Sequence, residues 1–222
     1  MIDGLNEQAI EYLNRLASTK LGLKSLNNVL GTSRSFLRKS RWMESMAEFD
    51  PTFEGEPVPW FNYGFVRFLR GRVKPHMIVF EYGSGFSTQW WEKHAASVDA
   101  VEHDAKWAKQ VATRLGDSAS IRHIELDYDG VYCRSILAMT KSYDIVVVDG
   151  RDRVNCMRMG LHRLTDNGVI VFDNSQRRHY REGIEEVKAQ GWKEIQFSGL
   201  APMTYVESFT SVLYRARNCF DI

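Results

Sequence analysis

Cysteine is scarce in this chain. The three present, Cys133, Cys156 and Cys219, are odd in number and far apart, and no C-x-x-C pair occurs. That excludes a disulfide framework and a thiolate zinc site, and it reads as free thiols in a reducing compartment. An excess of one charge is lacking too: 29 Lys and Arg stand against 28 Asp and Glu, a net charge of +1. Proteins of nucleic acids or membrane surfaces usually carry a basic excess, so neither partner is expected. No apolar run approaches the ~18 residues that span a bilayer; the longest, such as residues 145–148, are strand-sized. The start, MIDGLNEQAIEYL, has acids where a signal peptide has a basic and then an apolar stretch. Proline is sparse, and three of the five are gathered in one stretch, FDPTFEGEPVPW. There is no internal repeat. With 222 residues, 44% hydrophobic and 26% charged, the composition is that of a cytoplasmic globular protein.

The pattern changes near residue 76. Residues 1–75 read as a helical or cap segment: Asp3 caps a helix with Leu5, Ala9, Tyr12, Leu13 and Leu16 on one face. The proline stretch is then a loop, followed by an aromatic helix over 60–69. Beside that loop, Trp60 and Tyr63 are candidates to line a pocket. Residues 76–222 read as short, continuously apolar strands alternating with helices. Strands are expected at 77–80, 97–101, 120–126, 143–149 and 169–173, and helices at 87–95, 105–115, 153–164 and 179–189. That alternation predicts a doubly wound α/β domain with a buried, mostly parallel sheet. Residues 193–199 and 209–215 lie too close for a helical crossover, so they are expected as an antiparallel edge hairpin.

Ligands of such sheets bind beyond the carboxyl ends of the strands, where strand order reverses. The first strand here runs into VFEYGSGFST, whose Gly83 and Gly85 allow a tight turn close to a ligand. Seventeen residues after Gly85 the second strand ends in Glu102, an acid able to accept bonds from both hydroxyls of a ribose. Together they point to an adenosine cofactor. A dinucleotide fingerprint needs a third glycine, and Thr88 stands there instead. Glu81 would repel a pyrophosphate but suits an ammonium group. No Tyr-x-x-x-Lys pair is present. This charge logic favours S-adenosylmethionine over NAD.

With these motifs, residues 76–222 resemble the class I S-adenosylmethionine-dependent methyltransferases. VFEYGSGFST resembles their motif I, VEHD their ribose-binding acid, YDIVVVDG their motif IV, and DNGVIVFDN their fifth strand after a tight Asn167-Gly168 turn. The resemblance implies that Glu81, Gly83 and Gly85 hold the methionine end, and that Ser84 and Ser87 of the same loop also bind the cofactor. It implies Glu102 on the ribose, and His103, Asp127 and Tyr128 near the adenine. Asp149, at the end of the fourth strand, would border both cofactor and acceptor.

Asp149 and the Asp173-Asn174 pair close two strands that, as neighbours, lie ~4.8 Å apart. Three oxygen donors there suit Mg²⁺ or Ca²⁺. The pattern resembles catechol-type metal-dependent O-methyltransferases, although Asp-Asn is also a good turn and cap pair. Without a metal, Asp149 would orient the nucleophile or His179 would serve as general base. Arg151, Arg153, Arg177 and Arg178 follow the same two strands and suggest an anionic acceptor. The reading is a methyltransferase for a small acceptor with an oxygen nucleophile, either monomeric or homo-oligomeric. Two alternatives stay open: a non-catalytic cofactor-binding or scaffold protein of the same fold, and an NAD-dependent enzyme.

Overall fold

The computed structural model describes residues 32–222 continuously and single positions before them (15, 18, 19, 22, 24, 25, 28 and 29). The helix expected after Asp3 lies outside the described residues. Within residues 32–222 the first elements are two short helices, α1 (Phe36–Lys39) and α2 (Trp42–Glu48). A small antiparallel hairpin follows, β1 (Thr52–Phe53) and β2 (Glu56–Pro57), turning through Glu54 and Gly55, both at positive φ. Next comes α3 (Tyr63–Arg70). It starts later than the aromatic pattern suggests, because Asn62 caps it by accepting from the Phe65 amide at 2.9 Å. Trp60 is therefore left in the preceding loop.

From there strand and helix alternate. The elements are β3 (Ile78–Tyr82), α4 (Phe86–His94), β4 (Ser97–Glu102), α5 (Ala105–Ala112), β5 (Ala119–His123) and α6 (Val131–Arg134). They continue as β6 (Tyr143–Val148), α7 (Arg153–Leu161), β7 (Leu164–Asp173), α8 (Arg181–Ala189), β8 (Lys193–Gly199) and β9 (Ser208–Tyr214). Seven strands form one sheet in the order β5-β4-β3-β6-β7-β9-β8. The first five are parallel, while β9 runs antiparallel to β7 and to β8. This is the doubly wound sheet with a reversed edge hairpin that the sequence predicts.

The sheet is buried on both faces, which is why its strands read as continuous apolar runs. Val79, Ile145, Val147 and Val171 belong to one core, and Phe80, Val146, Val148 and Phe172 to the other. Each such side chain contributes about 1.5–3 kcal/mol when fully buried. Phe53, Phe61, Phe65 and Leu69 share the first core with the sheet, and α3 meets β8 through Phe65 and Phe68 against Phe197 at 5.3 and 4.7 Å.

Two local expectations change. Asn167-Gly168 is not a turn before β7 but an irregularity inside it: pairing steps from Tyr143↔Leu164 to Ile145↔Val169. A side chain at Gly168 would meet the Tyr143 carbonyl at 2.9 Å, so the strand bulges where only glycine fits. And β5 ends at His123, so residues 124–130 form a loop.

Candidate functional site

Chain order reverses between β3 and β6. The chain moves outward from β3 through β4 to β5, then returns to β6 and β7 on the other side. A cavity of about 610 Å³ opens at the carboxyl ends of these strands. Its glycine-loop wall is Gly83, Ser84, Gly85, Phe86 and Ser87, and its β4 wall is Glu102, His103, Asp104 and Trp107. Asp149, Gly150, Arg151, Arg153 and Arg177 come from beyond β6 and β7, and Phe49 and Trp60 from the N-terminal segment.

Gly83 sits at φ +95°, and a Cβ there would lie 3.0 Å from the Gly150 nitrogen. The loops after β3 and β6 thus approach backbone to backbone. Glu102 is buried and fixes the loop from the side. Its Oε2 accepts from the Ser84 amide at 3.0 Å and from the Ser84 hydroxyl at 3.2 Å. Its Oε1 accepts from the amides of His103 and Asp104 at 2.7 and 2.9 Å. Its rotatable partners are the Ser84 hydroxyl and the His103 ring, whose Nδ1 lies 2.7 Å from Oε1, so these are the contacts a ligand hydroxyl could replace. Asp104 caps α5 by accepting from the amides of Lys106 and Trp107 at 2.9 and 3.0 Å, and these bonds, first that from Trp107, hold its carboxyl below the usual range. The Trp107 indole donates to the Ser84 carbonyl at 2.7 Å.

Glu81 lies beneath the loop and not in the cavity wall. Thr88, in the place of a third glycine, accepts from the Gly85 amide at 2.9 Å and donates to Glu81 Oε2 at 2.5 Å. Glu81 Oε1 is buried and, among the described residues, has no hydrogen-bond partner within normal bonding distance. Burial raises the Glu81 pKa to about 8, against the lowering effect of the Ser87 and Thr88 hydroxyls.

A second cavity, about 440 Å³, adjoins the first and shares Trp60, Asp149, Arg153 and Arg177 with it. Asp173, Asn174, Gln176, Thr204, Val206, Glu207 and Ser208 complete it. Phe49, at φ +51°, meets Trp60 edge to face at 5.9 Å over the shared opening. Trp42 Nε1 donates to the Thr204 carbonyl at 2.9 Å, joining α2 to the β8–β9 loop.

Several expected site residues lie elsewhere. Tyr63 is buried in the core, edge to face with Phe36 at 5.3 Å and tilted against Phe53 at 4.9 Å, because Asn62 turns the first residue of α3 inward. Asp127 caps α6 by accepting from the amides of Val131 and Tyr132 at 2.6 and 2.8 Å. Tyr128 is 72% exposed and lines neither cavity. His179 is exposed on a short 3-10 turn (Arg178–Tyr180), its ring against Tyr180, and lines neither cavity. Arg178 lines a separate surface cavity with Arg181, Lys188 and Glu194.

The metal expectation is also corrected. Asp149, Asp173 and Asn174 do come together, but an arginine holds them. Arg153 Nη2 bonds Asp149 Oδ1 at 2.8 Å, and Nη1 lies 3.8 Å from Asp173 Oδ2. The Asn174 amide donates to Asp173 Oδ2 at 2.7 Å, so that carboxylate oxygen is engaged within the protein. Among the described residues no group of three or more His, Cys, Asp or Glu is placed to hold a metal ion. The donor set does not fit Mg²⁺ or Ca²⁺. Arg153 is equally not a free arm for an acceptor, since its guanidinium is committed inside the protein. Burial pushes the Asp173 carboxyl up to about 8, helped by the Asp149 charge and opposed by Arg153.

Sequence reasoning passed over Phe49, Trp107 and Gly150. Trp107 had a signal, three residues after the cap that follows Glu102. Phe49 had none, since a left-handed residue at the end of α2 brings it to the cavity.

No family model matches the chain, and no curated protein matches it in sequence. Solved structures do match. The O-methyltransferase from Bacillus cereus in complex with SAH has a TM-score of 0.57 at 16% identity, over 86% of this chain and 96% of that one. An rRNA methylase from Streptococcus thermophilus gives 0.52 at 10% identity, over 67% and 93%. The N-methyltransferase NodS from Bradyrhizobium japonicum in complex with SAH gives 0.50 at 12%, over 81% and 99%. At these identities the likeness is one of fold, and the fold is the one these methyltransferases share. Among the described residues no helix is long and apolar enough to cross a membrane.

Proposed function

We propose that this chain, which has the fold of class I S-adenosylmethionine-dependent methyltransferases, is a cytoplasmic methyltransferase that acts on an oxygen of a small anionic acceptor. The observation that carries the reading is the pair of adjoining cavities at the sheet's switch point. One is walled by the glycine loop and Glu102, the other by Asp173 and the β8–β9 loop, and they meet at Asp149.

The residues of the larger cavity fit the cofactor. Glu102 and the Ser84 hydroxyl suit a ribose, and the backbone cradle at Gly83 has no room for a Cβ. His103 and Trp107 flank the acid on the side where the adenine would lie. Glu81 acts from beneath by holding the loop through Thr88. When bound, S-adenosylmethionine supplies a methyl group already activated on a sulfonium.

The chain's own residues then have positioning to do. Asp149, half-open to the cavities with 30% of its side chain exposed, orients the acceptor hydroxyl and takes up its proton. Phe49 and Trp60 cover the shared opening and exclude water. Arg151 and Arg177 offer guanidinium groups to an acidic function on the acceptor. The part of the N-terminal segment that carries Phe49 and Trp60 serves as cap over the acceptor.

Calorimetric titration with S-adenosylhomocysteine, run against NAD, tests the reading. Micromolar binding of S-adenosylhomocysteine, lost in Glu102→Ala, is expected. Binding of NAD instead, or of neither, would overturn it. Tight cofactor binding with no turnover on any hydroxylated anion would favour a scaffold protein of this fold.

A further inference from the structure

Asp149 and Asp173 leave adjacent parallel strands at the open end of the sheet, and two carboxyl groups so placed and largely buried must be balanced by a retained proton, a cation or both. The chain supplies its own cation. Asp152, at φ +49°, starts α7 so that Arg153 becomes its first residue and points inward, with 7% of its side chain exposed. Its guanidinium does two things at once. It faces both carboxylates, at 2.8 and 3.8 Å, and it ties both strand ends by donating to main-chain carbonyls. Those are Asp149 at 2.8 Å, Gly150 at 3.0 Å and Asp173. The other lone pairs of Asp173 are taken by donors, the Asn174 amide and the Thr210 hydroxyl, each at 2.7 Å. Thr210 is contacted in turn by the buried Asn62 amide at 3.4 Å.

We propose that Arg153 is the resident cation of this site: it neutralises the Asp149–Asp173 pair and fixes Asp149 at the shared opening, so the protein neither binds nor needs a divalent metal there. A corollary follows from charge alone. Without the guanidinium, two carboxylates and the Asn174 carbonyl, after a flip of its amide, form three oxygen donors of the kind hard cations take. Removing Arg153 therefore converts the site into one for a divalent cation. The inference deepens the function proposed above, as a positioning role for Arg153, yet metal occupancy can be read without any turnover.

The test is a Mn²⁺ titration followed by the electron paramagnetic resonance signal of the free ion, on wild type, Arg153→Ala and Arg153→Gln. Thermal midpoints are recorded with EDTA and with Mg²⁺. Wild type is expected to leave the Mn²⁺ signal undiminished and to melt at the same temperature in EDTA and Mg²⁺. Both variants should melt lower in EDTA, bind Mn²⁺ at least tenfold more tightly than wild type, and recover stability as Mg²⁺ is added. Stoichiometric Mn²⁺ binding by wild type would overturn the proposal. So would folded variants that gain no affinity, or variants that fail to fold with and without Mn²⁺. S-adenosylhomocysteine binding by wild type is measured in parallel; its failure would remove the methyltransferase reading and leave the cation result standing.

Discussion

The indole of Trp107 donates to the carbonyl of Ser84 at 2.7 Å, so the first turn of α5 grips the glycine loop that leaves β3. The bond links the two walls of the larger cavity, on which an adenosine ligand would depend. Replacing Trp107 with Phe keeps most of the ring and removes the donor. A net hydrogen bond is worth about 1 kcal/mol, or roughly fivefold in an equilibrium constant. Affinity for S-adenosylhomocysteine should fall by about that factor in calorimetry. Undiminished affinity would show that the loop holds its shape without the indole.

The two glycines of the loop should not tolerate change equally. Gly83 has φ +95°, and an added Cβ would press on the Gly150 nitrogen at 3.0 Å. Gly85 has extended backbone, and its Cβ would meet nothing closer than the Trp107 ring at 3.7 Å, an ordinary contact. Gly83→Ala should destabilise by about 1–3 kcal/mol and lose measurable S-adenosylhomocysteine binding. Gly85→Ala should melt close to wild type. Equal melting temperatures by scanning calorimetry would contradict the assignment of strain to Gly83.

Buried Glu81 predicts an unusual pH dependence. Its carboxyl is pushed up to about 8 by burial, whereas in the unfolded chain it titrates near 4.5. Between those values the folded state keeps a proton that the unfolded state has lost. Stability from this group is thus complete below about pH 4.5 and disappears as pH rises through about 8. Asp173, raised in the same direction, adds to the slope. Glu81→Gln keeps a neutral group in place, so it should flatten the fall in melting temperature between pH 5 and 9 and melt above wild type at pH 9. Parallel curves for the two proteins would show that Glu81 is ionised in the fold.

What was readable in the sequence and what was not divide along a physical line. The strands at 78–82, 97–102 and 143–148 were legible because a sheet covered on both faces forces unbroken apolar runs. The acids at their ends, Glu102 and Asp149, were legible by position alone. Arg153 was read as an arm toward the acceptor because sequence shows which loop carries a charge but not which partner consumes it. The left-handed Asp152 that turns Arg153 inward leaves no pattern. Asp127 failed for a related reason: a carboxylate after a strand serves a ligand or caps the next helix, and only the amides of Val131 and Tyr132 decide which. Tyr63, one residue past the cap, fell to the core for want of a reliable helix start.

The acceptor's charge can be tested through the two arginines that Arg153 leaves. Arg151 lines the larger cavity, whereas Arg177 lines both, and neither forms an ion pair among the described residues. Burial raises the Asp149 carboxyl above its usual range, and the nearby charge of Arg177 opposes that rise less than Arg153 does. A guanidinium bonded to a carboxylate or phosphate is worth about 1.5–3 kcal/mol. Arg177→Glu should therefore raise KM for an anionic acceptor by roughly 10- to 100-fold, with S-adenosylhomocysteine affinity within about twofold of wild type. Arg151→Glu, farther from the acceptor cavity, should raise KM less. Wild-type KM should also climb with ionic strength, since exposed charges are screened over about 10 Å at 0.1 M salt. A KM insensitive to salt and to Arg177→Glu would mean a neutral acceptor, held by Trp60 and the polar groups around Asp173 instead.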